Sequence, residues 1–147
     1  MKKNITLLAL GLFMLISAHA QRSEIFVSGG KAIKGYDAVA FFTESKAVKG
    51  QDSLVYHWKD ASWLFSSRRN LETFKADPEK YAPQYGGYCA YGVSQGHKAP
   101  TETDTWTVIS DKLYFNYNKK VKEMWTKDQQ GLIEKADQQW AELKNKE

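Results

Sequence analysis

Cys89 has the most distinctive chemistry in this 147-residue sequence, because it is the only cysteine. A cysteine thiolate is a nucleophile and also a ligand for soft metal ions. His97 follows eight residues later, where it can serve either as a second metal ligand or as a base for the thiol. The pair therefore points to metal binding or to thiol chemistry.

Copper(I) is the metal that this small ligand set suits best. A closed zinc site needs four ligands at characteristic spacing, and one cysteine with two scattered histidines, His57 and His97, does not supply them. Copper(I) is held by two or three soft ligands. The first hypothesis is therefore a transition-metal site, copper preferred, in which Cys89 and His97 are ligands and Met124 is a candidate third.

Aromatic side chains near Cys89 suggest a second hypothesis. Tyr88 and Tyr91 flank the cysteine, and with Tyr36 and Asp37 they form the candidate ligand-binding residues. The alternative function is thus a small-molecule-binding protein or a thiol-dependent enzyme, with Cys89 activated by His97 and oriented by Asp37. No signature of a known cysteine enzyme surrounds Cys89, so a binding module is favoured over an enzyme and no catalytic residue is assigned.

Each of these residues also has an ordinary structural interpretation. A free cysteine is among the most buried residue types, so Cys89 can be an inert part of the core. His57 falls on the polar face of a predicted hairpin and is expected to face solvent. Asp37 and Asp104 are typical of turns and helix caps. A purely structural or partner-binding role is the third hypothesis.

Composition and motifs exclude several functional classes. The formal net charge is +4, of which two charges belong to lysines in the first three residues, and no arginine-rich stripe indicates nucleic-acid binding. The chain has no glycine-rich dinucleotide motif, no phosphate-binding loop and no HExxH zinc-protease motif. Aromatic residues make up 14% of the chain, enough to build a core and line a pocket.

The first twenty residues are typical of a secretory signal peptide. A lysine pair is followed by an apolar run from Ile5 to Ile16, and Ala18 and Ala20 match the A-x-A cleavage pattern. The run is shorter than the roughly 20 apolar residues that span a membrane. We therefore expect a periplasmic or secreted protein that begins at Gln21, without stable membrane insertion. The alternative is an uncleaved N-terminal anchor.

Hydrophobic periodicity predicts two hairpins. An extended arm over residues 21–34 precedes a single domain over residues 35–147. Alternate residues are apolar from Leu54 to Trp58 and again at Trp63 and Phe65, with a polar stretch between the runs. The segments 106–109 and 113–117, rich in β-branched and aromatic residues, predict the second hairpin.

Capping residues predict the helices. Ser66 or Ser67 can start one helix, and Asp77 followed by Pro78 starts another. Asn118 begins a C-terminal helical segment that Gly131 is expected to interrupt, and the apolar run from Gly35 to Phe42 is expected to be a buried short strand or turn. The fold class is therefore α+β, with a small antiparallel sheet of hairpins, short helices and a C-terminal helical segment.

The runs from Tyr56 to Ser67 and from Phe74 to Tyr81 resemble the YHS domain family. In that family a hairpin leads to a helix and then to a D-P-x-K-Y run. With Gly35–Phe42 and Gly86–Gly92 added, the chain is similar to the exported single-domain YHS proteins. The resemblance implies the fold, and it implies a binding role because better-known members are proposed to hold transition metals through cysteines.

This chain departs from the family at its metal-binding positions. The cysteine of the first strand corresponds to Ala40, that of the Cys-Ser pair to Ser66, and the one four residues later to Asn70. Neither alanine nor a neutral hydroxyl or amide replaces a thiolate for a soft metal. The resemblance therefore implies the fold but not the family's thiolate site.

Overall fold

The computed structural model describes residues 23–146. The predicted signal peptide at 1–20 and the cleavage point before Gln21 lie outside the described residues. The described part confirms a mixed fold, with a four-stranded sheet, a two-stranded sheet and six α-helices. The strands are Val27–Ser28 (β1), Lys31–Ala32 (β2), Gln51–Trp58 (β3), Ala61–Phe65 (β4), Thr107–Ile109 (β5) and Lys112–Tyr114 (β6). The helices are Ala40–Thr43 (α1), Arg68–Ala76 (α2), Pro78–Tyr81 (α3), Ala90–Ser94 (α4), Lys119–Lys127 (α5) and Gln129–Leu143 (α6).

The larger sheet has the strand order β1-β2-β4-β3. Its central hairpin, β3 with β4, is antiparallel as the periodicity predicted, and β5 with β6 forms the second predicted hairpin. One pairing differs from the expected antiparallel sheet, because β2 runs parallel to β4 with Lys31 opposite Ser62. The N-terminal arm turns back at Gly29 and Gly30, both at positive φ, and this turn lays β2 alongside the hairpin.

The described part of the predicted arm, residues 23–34, is part of the folded domain. Ile25 is buried in the core, and β1 and β2 both belong to the four-stranded sheet. The backbone N–H of Phe26 donates to the carbonyl of Gly86 at 2.9 Å. The arm thus packs against Gly86 and is not a separate segment ahead of the domain.

Three helices begin where their capping residues predicted. The Ser67 hydroxyl accepts from the N–H of Asn70 at 3.1 Å and starts α2, and the Asn118 side chain accepts from the N–H of Val121 at 2.9 Å and starts α5. Asp77 caps α3 in the same way, with Pro78 at its first position. Each cap satisfies an amide that has no partner inside its own helix.

One local prediction was incomplete and another was wrong. The run from Gly35 to Phe42 is largely buried and turns at Ala38 and Val39, as expected, but it continues into helix α1, because the Asp37 carboxylate accepts the N–H groups of Val39 and Ala40. The C-terminal segment breaks at Asp128, not at Gly131, which lies inside α6. A Cβ at Gly131 would lie 2.6 Å from the Asp128 carboxylate. Glycine at this position therefore allows the carboxylate to pack against the first turn of α6.

The core consists of two clusters. The first lies between the four-stranded sheet, α1 and α2, and its large members are Phe41, Trp63, Phe65, Phe74 and Phe115. The second lies among β6, α4, α5 and α6, and its large members are Tyr85, Tyr88, Tyr114 and Trp125. Within residues 23–146, every helix falls short of the length and apolar character that crossing a membrane requires.

Candidate functional site

Cys89 is held by its backbone between two chain segments. Its N–H donates to the carbonyl of Ala99 at 3.0 Å, and the N–H of Ala90 donates to the carbonyl of Phe115 at 2.9 Å. A parallel bridge joins Cys89 to Phe115. Cys89 is therefore fixed as the capping residue of α4, at the point where Phe115 connects it to the first core cluster.

The Cys89 sulfur is enclosed by hydrogen-bonding groups. The residue is 1% exposed, and its Sγ accepts from the N–H of Gly92 at 3.4 Å and from the N–H of Tyr117 at 3.2 Å. The thiol donates to Oδ1 of Asn116 at 3.6 Å. Burial raises the pKa of the Cys89 thiol, and the backbone N–H donors only partly oppose that effect. The structure therefore favours the neutral thiol.

Asn116 is the residue near the sulfur that the sequence analysis missed. It is fully buried, and its Oδ1 accepts from the N–H of Tyr91 at 3.2 Å as well as from the thiol. Its Nδ2 makes no hydrogen bond within the described residues. The available signal was a polar amide between Phe115 and Tyr117, because a buried amide inside an aromatic run requires hydrogen-bond partners.

His97 lies in the turn that follows α4. The residue is exposed, and its N–H donates to the carbonyl of Gly92 at 3.1 Å. Its Nε2 lies 3.4 Å from where a Cβ on Gly92 would stand. Because the Cys89 sulfur and the His97 imidazole both approach Gly92, standard bond lengths limit their separation to about 9 Å.

The two tyrosines beside Cys89 pack into the second core cluster. The Tyr88 ring lies 5.5 Å from the Phe26 ring and 6.2 Å from the Trp140 ring, and its hydroxyl donates to the Ser23 carbonyl at 2.8 Å. Tyr91 is half-buried against the same cluster. These rings support α4 and the N-terminal arm.

Asp37 lies in a different part of the fold from the Cys89 segment. Its fully buried carboxylate accepts five hydrogen bonds, from the N–H groups of Val39 and Ala40, from the N–H and hydroxyl of Ser66, and from the Asn70 amide. Tyr36 is half-buried against the first core cluster. The contacts of the Asp37 carboxylate thus serve α1 and α2 and do not orient His97.

The three positions that correspond to the family's cysteines come together at this carboxylate. The N–H of Ala40 contacts Oδ1 of Asp37 at 3.2 Å, and Ser66 and Asn70 both donate to Oδ2, at distances from 2.7 to 2.8 Å. In this chain, a hydrogen-bonded carboxylate therefore connects the three positions that lack the cysteines. Its donors are hydroxyl and amide groups, which do not suit a soft metal.

The remaining candidates lie on the surface. Met124 is 42% exposed on α5, and the exposed Asp104 pairs with Lys119 at 3.6 Å. His57 is exposed, as predicted, and its Nδ1 lies 3.1 Å from the Ser62 hydroxyl. Across residues 23–146, the structure gathers no group of three or more histidine, cysteine, aspartate or glutamate side chains that could hold a metal ion.

Comparisons with protein-family models, curated protein sequences and solved structures found no match for this chain. The family resemblance accordingly rests on the sequence runs quoted above. The site itself has to be judged on its geometry, which brings Cys89, Asn116 and His97 to α4 and leaves Asp37 in the first core cluster.

Proposed function

We propose that this chain is an exported, YHS-like binding module whose ligand is a soft transition metal, copper(I) in preference, held by Cys89 and His97. The observation that carries the proposal is the approach of both the Cys89 sulfur and the His97 imidazole to Gly92. A Cβ on Gly92 would lie 3.3 to 3.4 Å from His97 atoms, so glycine lets the imidazole lie close over the helix. Copper(I) accepts a site with only two protein ligands.

Export and family membership are parts of the same proposal. The lysine pair, the apolar run and the cleavage pattern at Ala18 and Ala20 support an exported protein. The order of a hairpin, a helix capped by Ser67 and a helix capped by Asp77 supports the YHS-like assignment.

The pKa of Cys89 argues against a thiol-dependent enzyme. Thiol enzymes lower the pKa of their cysteine so that the thiolate is present at neutral pH. Here burial raises the pKa of the thiol. The alternative function, a small-molecule site or a thiol-dependent enzyme at Cys89, would need the opposite shift and open aromatic walls, whereas the Tyr88 ring packs against Phe26 and Trp140.

Burial also determines how a metal would reach the sulfur. A copper ion has to displace the thiol proton and the hydrogen bonds that Gly92 and Tyr117 donate to Sγ. The sulfur lies at the N-terminal end of α4, where the residue is 1% exposed, so the ion has no open path to it. We therefore expect copper binding to be slow and to strengthen as pH rises.

A structural role for Cys89 is the second candidate, favoured by the saturation of its sulfur. Sγ accepts two backbone N–H groups and donates to Asn116. These bonds cap α4 and connect it to Tyr117, in the segment between β6 and α5. This candidate predicts that the folded protein takes up no copper.

Anaerobic titration with copper(I) against a chromogenic chelator tests the proposal. The mature chain from Gln21 should bind one copper ion, Cys89→Ser should lose it, and His97→Gln should bind more weakly. His57→Gln is the matched control, because His57 is also exposed but pairs with Ser62 away from α4. Equal copper binding by the parent chain and Cys89→Ser, or none by either, would overturn the ligand assignment.

A further inference from the structure

A cleft of about 190 Å³ lies where the two core clusters meet, and its lining does not include Cys89 or His97. Its aromatic lining comes from both sides, with Trp58 packed on the first cluster and Tyr85 and Trp140 in the second. The N-terminal arm contributes Glu24 and Ile25 to its rim. The cleft is therefore built from four separate parts of the chain.

The polar lining of this cleft is predominantly negative. Its ionisable residues include three carboxylates, on Glu24, Glu79 and Asp137, and one ammonium group, on Lys59. Within the described residues these carboxylates are not gathered closely enough to hold one metal ion. Negative charge spread around aromatic walls suits a larger cation, because ring faces and carboxylates both attract positive charge.

Lys59 illustrates the chemistry that the lining recognises. Its Nζ lies 4.7 Å from the centre of the Trp58 ring and contacts the carboxylates of Glu24 at 2.8 Å and Glu79 at 3.0 Å. The chain thus already holds one ammonium group between an aromatic face and two carboxylates at this place. After this pairing, the cleft keeps an excess of negative charge.

Tyr85, Trp140 and Asp137 form a second group of aromatic and carboxylate side chains in the lining. The Tyr85 hydroxyl donates to Oδ1 of Asp137 at 2.8 Å, and the Tyr85 and Trp140 rings lie 5.9 Å apart. Burial and the neighbouring Asp137 charge raise the pKa of Tyr85, so the phenol stays a neutral donor to that carboxylate. Asp137 is thereby positioned beside an aromatic pair.

We propose that this cleft binds a small organic ammonium cation between Trp140, Tyr85 and the Asp137 carboxylate. The cavity volume accommodates a quaternary ammonium group with a short side chain, and aromatic walls with a carboxylate are the recognition chemistry of such ligands. The inference does not rest on the proposed function, because none of the cleft residues contributes to the copper site.

Choline is a suitable probe, and 3,3-dimethylbutan-1-ol is its neutral counterpart of the same shape. Tryptophan fluorescence and ligand-observed NMR should show saturable choline binding, with the neutral alcohol bound about tenfold more weakly or not at all. Absence of saturable choline binding, or equal binding of the alcohol, would overturn the proposal.

Three variants locate the binding. Asp137→Asn keeps an oxygen acceptor for Tyr85 and removes the charge, so choline binding should weaken about tenfold. Asp104→Asn removes an exposed carboxylate outside the cleft and should leave binding unchanged. Cys89→Ser should also retain choline binding, which separates a failure here from a failure of the copper proposal. An unchanged affinity in Asp137→Asn would contradict the assignment.

Discussion

Asp37 and Ser66 are joined by two hydrogen bonds, since both the hydroxyl and the backbone N–H of Ser66 donate to Oδ2 of Asp37, at 2.7 and 2.8 Å. Asn70 donates to the same oxygen at 2.8 Å, and Val39 and Ala40 donate to the other. One buried carboxylate therefore connects the start of α1, the end of β4 and the first turn of α2. This set of hydrogen bonds requires a side chain that accepts at both of its oxygens.

Replacing Asp37 by Asn should destabilise the fold strongly. All five partners of the carboxylate are donors, and an amide offers only one accepting oxygen, so its NH₂ group would face donors. We expect a loss of about 2–4 kcal/mol in the free energy of unfolding, measured by urea denaturation.

Asp104→Asn is the matched control for this change. Its carboxylate is exposed and pairs with Lys119 at 3.6 Å, so the expected loss is below about 1 kcal/mol. Similar stabilities for the Asp37 and Asp104 variants would show that the buried carboxylate does not hold the three elements together.

Gly86→Ala should be much more damaging than Gly29→Ala. Both glycines have positive φ, at 62° and 57°, so the backbone cost of alanine is similar at the two positions. At Gly86 the new Cβ would overlap the carbonyl of Glu24, whereas at Gly29 nothing lies within 4 Å. Thermal unfolding should show a loss of about 1 kcal/mol for Gly29→Ala and at least about 2 kcal/mol more for Gly86→Ala.

Equal losses in the two glycine variants would mean that the N-terminal arm is not packed against Gly86. A second measurement is the rate of limited proteolysis in the N-terminal arm, before Val27. Gly86→Ala should be cut faster in the arm than the parent chain, because the contact between the arm and residue 86 has been displaced.

Stability should fall at alkaline pH, in part because of Cys89. Its pKa is raised in the folded state from the ordinary value of 9.0, so the full contribution is present below that value and is lost as pH rises through the folded pKa. The raised pKa values of Tyr85 and Tyr114 act in the same direction from about pH 10 upward.

Cys89→Ser isolates the thiol's share of this pH dependence. An ordinary thiol titrates between about pH 8 and pH 10. Over that range, the free energy of unfolding of the parent chain should fall, relative to the variant, by up to about 1.4 kcal/mol per pH unit. The measurement is urea unfolding of both proteins across that range. Parallel stability curves would contradict the raised thiol pKa.

Cys89 should react with a maleimide or a disulfide reagent very slowly while the protein is folded. The residue is 1% exposed, and its thiol is kept neutral, so both access and ionisation oppose the reaction. We expect labelling at neutral pH to be at least about 100-fold slower than in denaturant. Labelling at the rate of an exposed thiol would show that the sulfur is accessible, and it would support the alternative function, a thiol-dependent enzyme.

Local patterns in the sequence predicted three helix starts and both hairpins. Ser67, Asp77 and Asn118 predicted three helix starts, because a capping side chain bonds an amide only three residues away. The alternation around Trp58 and Trp63 predicted the first hairpin for a similar reason, since strand periodicity is a property of the strand itself. The parallel β2–β4 contact was missed because it depends on where a distant arm returns.

The site depended on long-range packing, which the sequence does not display. The sequence alone determined which side chains can take part in chemistry, because the reactivity of Cys89, His97 and Asp37 follows from their residue types. Only the tertiary structure decided that Asp37 meets Ser66 and Asn70, that Asn116 lies against the sulfur, and that the thiol is enclosed. Burial and hydrogen-bond partners set the pKa and reactivity of a group, and both come from segments far apart in the chain.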